Sequence, residues 1–170
     1  TVYSGNYSLR VEDTTTGVYA SVATQTVANY SDPDIFFVWK AVLLGAHGAD
    51  DAATMIITLK DVSTGTTLIT RQYNAASGGG GVDPRFSQLG GNYYTANWQV
   101  EQLSIDSSLA GHTFEISVLA ADCQPTGHWG YVYLDGFGNV NPPAGVPEPG
   151  SLALAGLALA GLAAARRRKA

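Results

Sequence analysis

Residues 112–121 read His112-Thr113-Phe114-Glu115-Ile116-Ser117-Val118-Leu119-Ala120-Ala121. Phe114, Ile116, Val118 and Ala120 occupy every second position, and Thr113, Glu115 and Ser117 lie between them. Successive side chains of a strand point to opposite faces, so this stretch is a strand with one side in a core and the other in water. Residues 53–60 repeat the pattern, with Met55, Ile57 and Leu59 opposed to Thr54, Thr58 and Lys60. Ile35-Phe36-Phe37-Val38-Trp39 is apolar on both faces and reads as a central strand. Working outward, strands are expected at 7–11, 18–28, 34–44, 53–60, 67–73, 97–105, 112–121 and 129–135, with no sustained helical period between them. Asp61-Val62-Ser63-Thr64-Gly65 is a turn that makes 53–60 and 67–73 a hairpin. The expectation is an all-β jelly-roll β-sandwich over residues 1–138, with an immunoglobulin-like sandwich as the other topology. The connection 74–96 is long for a compact domain, which marks it as functional or mobile, and its aromatic residues imply that part of it packs down.

The chain has 170 residues, 45% of them hydrophobic and 14% charged, with a formal net charge of -5. This is too apolar for a disordered chain and too poor in charge for a coiled coil. Four of the nine basic residues are Arg166, Arg167, Arg168 and Lys169, so residues 1–165 carry 14 acids against five bases. Such a body has nothing with which to neutralise phosphates, and nucleic-acid binding is excluded. A single cysteine, Cys123, excludes an intrachain disulfide framework and a Cys-rich zinc module. The run Gly78 to Gly81 lacks the Lys-Ser/Thr of a phosphate loop, and neither a Gly-x-Ser-x-Gly elbow nor a His-Glu-x-x-His is present. Beginning at Thr1 without an initiator Met or signal peptide, the sequence reads as a fragment or processed form of a longer export precursor.

Gly150 to Ala165 run sixteen residues without a charge and are followed at once by Arg166, Arg167, Arg168 and Lys169. As a helix this run spans about 24 Å, a little short of a ~30 Å hydrocarbon core. Long basic side chains can snorkel to cover part of the difference. The expectation for 150–170 is one C-terminal transmembrane helix with a basic tail, its cations cytoplasmic and the body outside. Pro142, Pro143, Pro147 and Pro149 make residues 139–149 a stiff extended linker. Within it stands Val146-Pro147-Glu148-Pro149. Pro-Glu-Pro, an apolar helix and a terminal Arg/Lys cluster, in that order and spacing, resemble the PEP-CTERM sorting signal of Gram-negative bacteria. A tail of this kind is also called an ice-binding protein C-terminal domain, a name that says nothing about the body. The resemblance implies export, transient residence in the inner membrane through the C-terminal helix, and recognition by an exosortase. It further implies cleavage near Pro147-Glu148-Pro149 and delivery to the cell surface or extracellular matrix.

The second half of the body carries Trp98 to Asp106, Leu109-Ala110-Gly111-His112, Ala121-Asp122-Cys123, Gly127-His128-Trp129-Gly130-Tyr131 and Tyr133-Leu134-Asp135. This series is similar to the closing half of the galactose-binding-like jelly rolls found in bacterial surface proteins and adhesins, where His47 also has an equivalent. The resemblance implies a carbohydrate-binding-like module. Independently of it, Trp129, Tyr131 and Tyr133 with Asp135 are candidates for a sugar platform, because stacking needs exposed rings and reading hydroxyls needs polar neighbours. The competing reading makes these rings cross-strand packing. His47, Cys123 and His128 offer borderline donors for a metal. The alternative is a small buried cysteine and a histidine that pins its own loop. A structural calcium is a further candidate in an acidic exported body, on Asp13, Asp32, Asp34, Asp50, Asp51 or Asp135. His112, alone at a strand start, reads as solvated.

The four glutamates, Glu12, Glu101, Glu115 and Glu148, form no hydrolase motif, and nothing orients a Cys–His nucleophile. The sequence therefore reads as a non-enzymatic exported protein whose body binds polysaccharide or serves as an adhesive module. A structural matrix component with no discrete ligand is the alternative, and a secreted hydrolase the weaker one. A binding module should show a contiguous open aromatic patch, whereas a structural one should bury its Trp and Tyr.

Overall fold

The computed structural model describes residues 1–13, 17–48, 51–76, 83–123 and 127–142. The apolar run, the basic cluster and Val146 to Pro149 lie outside the described residues. Among the described residues no helix is long and apolar enough to cross a membrane.

Ten strands follow one another: β1 (Leu9–Asp13), β2 (Ala20–Tyr30), β3 (Asp34–Leu44), β4 (Thr54–Asp61), β5 (Thr66–Asn74), β6 (Phe86–Leu89), β7 (Asn92–Thr95), β8 (Gln99–Ser104), β9 (His112–Ala121) and β10 (Gly130–Gly138). They form two antiparallel sheets. The first has the order β1-β10-β3-β7-β6, with β8 also on β3, and the second has the order β2-β9-β4-β5. Eleven residues of β3 allow one strand to pair along one edge with β10. Along its other edge it pairs with β8 over Asp34–Trp39 and with β7 over Val42–Leu44. The chain passes back and forth between the sheets, in the jelly-roll β-sandwich expected from the strand pattern.

The core lies between the facing sides. From β3 come Ile35, Phe37, Trp39, Ala41 and Leu43, met from the second sheet by Met55, Ile57 and Leu59 of β4 and Phe114, Ile116 and Val118 of β9. Each such large side chain, taken fully out of water, contributes about 1.5–3 kcal/mol. Alternation thus places the even-numbered residues of β9 inward, as the opening sequence stretch requires.

Two strands were not expected. In the long connection, β6 and β7 make a tight hairpin through Gly90 and Gly91, with Gly90 at φ +61°. Phe86 and Tyr93 turn to the core while Tyr94 lies on the other side, so the aromatic residues of this segment do pack down. In β10 a bulge interrupts the pairing with β3 between Asp135 and Gly138, where Gly136 takes φ +63°. Within it, Phe137 stacks on Phe37 with ring centroids 5.1 Å apart.

Candidate functional site

The outward side of β10 carries Tyr131, Tyr133 and Asp135, because Val132 and Leu134 fill the core. Trp129 immediately precedes the strand. Its ring and that of Tyr131 are nearly parallel, 12° apart in plane with centroids 5.8 Å apart. Tyr133 stands at 85° to Tyr131, also at 5.8 Å. The three rings therefore form one contiguous aromatic row, Trp129 stacked on Tyr131 and Tyr133 edge-on to it, and all are half-buried. Strand register extends the patch sideways. Tyr131 pairs with Glu12 of β1 and Val42 of β3, and Val42 with Tyr94 of β7. The Arg10 guanidinium lies 5.0 Å from the Tyr131 centroid and 5.9 Å from that of Tyr133, and it pairs with Glu12. Among the described residues, the one buried side-chain oxygen without a hydrogen bond, Asn92 Oδ1, belongs to β7 on the same side of the sheet.

The other end of this face is closed. The Asp135 carboxylate accepts the backbone N–H groups of Tyr3 (2.9 Å), Ser4 (3.2 Å) and Gly136 (2.7 Å), and Tyr3 packs edge-on against Trp98. Val38, outward on β3, is fully buried there. Asp135 thus ties the N-terminal segment to the sheet. The sandwich also leaves a groove of about 310 Å³ beside β2, lined by Gln25, Val27, Tyr30, Phe114 and Phe137 with Asp32 and Asn139 at its rim.

His47 follows β3, Cys123 follows β9 and His128 precedes β10, so three strand ends bring these side chains together. Their donor atoms lie within 4.8 Å of one another. Cys123 Sγ is 3.2 Å from His128 Nδ1, and the two imidazole centroids are 4.4 Å apart. Burial, and then the neighbouring His47, hold the His128 pKa below its ordinary 6.5. Cys123 is buried and His47 exposed. Two backbone bonds fix the loop ends: the Cys123 N–H donates to the His128 carbonyl (3.1 Å), and the Leu44 N–H to the Trp129 carbonyl (2.8 Å).

Among the described residues, the acids considered for calcium take separate partners. Asp32 accepts from the Asn139 amide and Asp34 from Gln102 and Ser104, while the Asp51 backbone closes a turn with His47 and Gly48. Asp13 sits at the end of β1, and Asp50 lies outside the described residues. Asp122 accepts from the N–H groups of Gly17 and Tyr19 and anchors the start of β2.

Two features escaped sequence reasoning. His112 is not simply solvated: its Nδ1 is 2.8 Å from Oδ2 of the fully buried Asp61. Glu101, 1% exposed, faces the core from β8, where Trp39 Nε1 donates to it at 2.9 Å and Arg71 pairs with it. Arg85 lies 5.0 Å from the centroids of both Trp39 and Tyr73 and completes this link between the sheets. An alternating strand pattern with an acid at an inward position was the available signal for Glu101.

Residues 145–169 match the PEP-CTERM protein-sorting motif. The chain carries a PEP-CTERM sorting signal. The match spans Val146 to Pro149 and Arg166 to Lys169, and a signal of this kind implies export by way of the membrane. No curated protein matches the chain. Among solved structures, the chain is similar to TmCBM61 in complex with β-1,4-galactotriose, at TM-score 0.41 and 12% identity over 79% of this chain and 70% of that one. It is also similar to CBM27-1 of Caldicellulosiruptor saccharolyticus in complex with mannohexaose, at TM-score 0.42 and 12% identity over 77% and 73%. A third similarity is to a chain described under CBM4 structure and function, at TM-score 0.36 and 15% identity over 72% and 61%.

Proposed function

We propose that the body is a non-catalytic carbohydrate-binding module, carried by its sorting signal through the inner membrane, with the C-terminus inside, to the cell surface or extracellular matrix. The observation that carries the reading is the contiguous, half-exposed aromatic row of Trp129, Tyr131 and Tyr133 on the outward side of the first sheet. Hydrophobic faces of sugar rings pack against aromatic rings, and Arg10 and Lys40, both in register with Tyr133, and Glu12, in register with Tyr131, supply polar groups for hydroxyls. Recognition here is surface complementarity with no bond made or broken.

The test is affinity electrophoresis of the full chain in gels containing a panel of neutral polysaccharides. Tyr131→Ala and Trp129→Ala should each weaken retardation about two- to tenfold, in line with the strength of aromatic contacts. Retardation that survives both substitutions but is lost in Phe137→Ala would move the site to the groove beside β2. No retardation by any polysaccharide would favour a structural matrix component.

A further inference from the structure

Carbohydrate recognition by the aromatic patch leaves the neighbouring thiol and imidazoles without a task. We propose that His47, Cys123 and His128 together ligate one zinc-class transition-metal ion, with the fourth position open to solvent.

The donor set is the first argument. A thiolate with two imidazoles is borderline-soft and suits zinc, not the hard cations that require oxygen. Geometry is the second. Zn–N and Zn–S bonds of ordinary length place the donors of a tetrahedron about 3.4–3.6 Å apart. Cys123 Sγ and His128 Nδ1 are already 3.2 Å apart, and all three donors lie within 4.8 Å. The exposed His47 need close only the remaining ångström or so. The third argument is the scaffold. Gly45 has φ +57°, and a Cβ there would sit 2.7 Å from Cδ2 of His128. Any other residue would displace the imidazole, so the chain keeps that position clear for it. That clearance serves the ring whatever it binds, but a hydrogen bond between Cys123 and His128 needs no second imidazole 4.4 Å away. Exposure of His47 leaves one side of the cluster to water, the arrangement of three protein ligands and an open position.

The test uses the full chain, purified without a histidine tag, stripped by chelator and titrated with Zn²⁺ against a chromophoric chelator and separately with Co²⁺. One equivalent should bind, and Co²⁺ should give tetrahedral d–d bands with a thiolate charge-transfer band that Cys123→Ser abolishes. Because Cys123 is buried and its variant can misfold, His47→Ala is the second arm. At an exposed position it should lower zinc affinity about tenfold or more, with the melting of metal-free protein unchanged. Absence of saturable one-to-one binding, a Co²⁺ spectrum without the thiolate band, or undiminished zinc affinity in His47→Ala would each overturn the site. These readouts involve no glycan, so they stand or fall apart from the carbohydrate reading.

Discussion

Asp61 closes β4 as a carboxylate with no exposed surface, and what surrounds it decides its charge. Burial pushes its pKa up, but hydrogen bonds from His112 and from the Thr64 side chain and backbone outweigh this and hold it below the ordinary 3.8. The Ser63 N–H also donates, at 2.9 Å, and caps the turn that was legible as Asp61 to Gly65. The unfolded chain therefore takes up this proton at higher pH than the folded one. The stabilisation is complete above the unfolded value of 3.8 and is lost as pH falls through the lower folded value. Asp61→Asn should flatten the stability curve in that acid window, as measured by urea unfolding at a series of pH values. An unchanged slope below pH ~4 would show that Asp61 does not govern it.

Strands whose sides differ in polarity were legible from their sequences. β3 and β9 run over the residues that alternation and the apolar run indicate, and β4 and β5 form the hairpin that Asp61-Val62-Ser63-Thr64-Gly65 announces. β6 and β7 were not legible, because four residues each are too few to show a period, and Tyr93 and Tyr94 face opposite ways. The convergence of His47 with Cys123 and His128 could be offered from residue chemistry, but only the crossing between sheets places the three strand ends together. His112 was misread because its partner lies 51 positions earlier. Asp135 shares the strand side of Tyr131 and Tyr133, and its carboxylate is taken up by the N–H groups of Tyr3, Ser4 and Gly136. Asp135→Ala should therefore cost about 1–2 kcal/mol and speed amide exchange at Tyr3 and Ser4, read by hydrogen-exchange mass spectrometry. Unaltered exchange at those residues would mean that contacts other than Asp135 hold the segment.

The whole body is closed by partners far apart in sequence. Leu9 pairs with Leu134 and Val11 with Val132, so the first strand gains its neighbour only when the last is present. Non-local antiparallel pairing of this kind folds slowly, and stopped-flow refolding of the full chain should fall in the range of milliseconds to seconds. A microsecond phase carrying most of the amplitude would contradict that topology. Sorting signal and body also share the order of the chain, with the signal emerging after β10.

Trp129, Tyr131 and Tyr133 sit on or next to the strand that leads directly into the linker. Were the proposed ligand seated there and the chain held by its C-terminal end, a tensile load would run along β10 itself, through covalent bonds, without crossing the sheet. The hydrogen-bond ladders to β1 and β3 would flank that path on both sides, bracing it in shear, and the rest of the sandwich would bear little of the force.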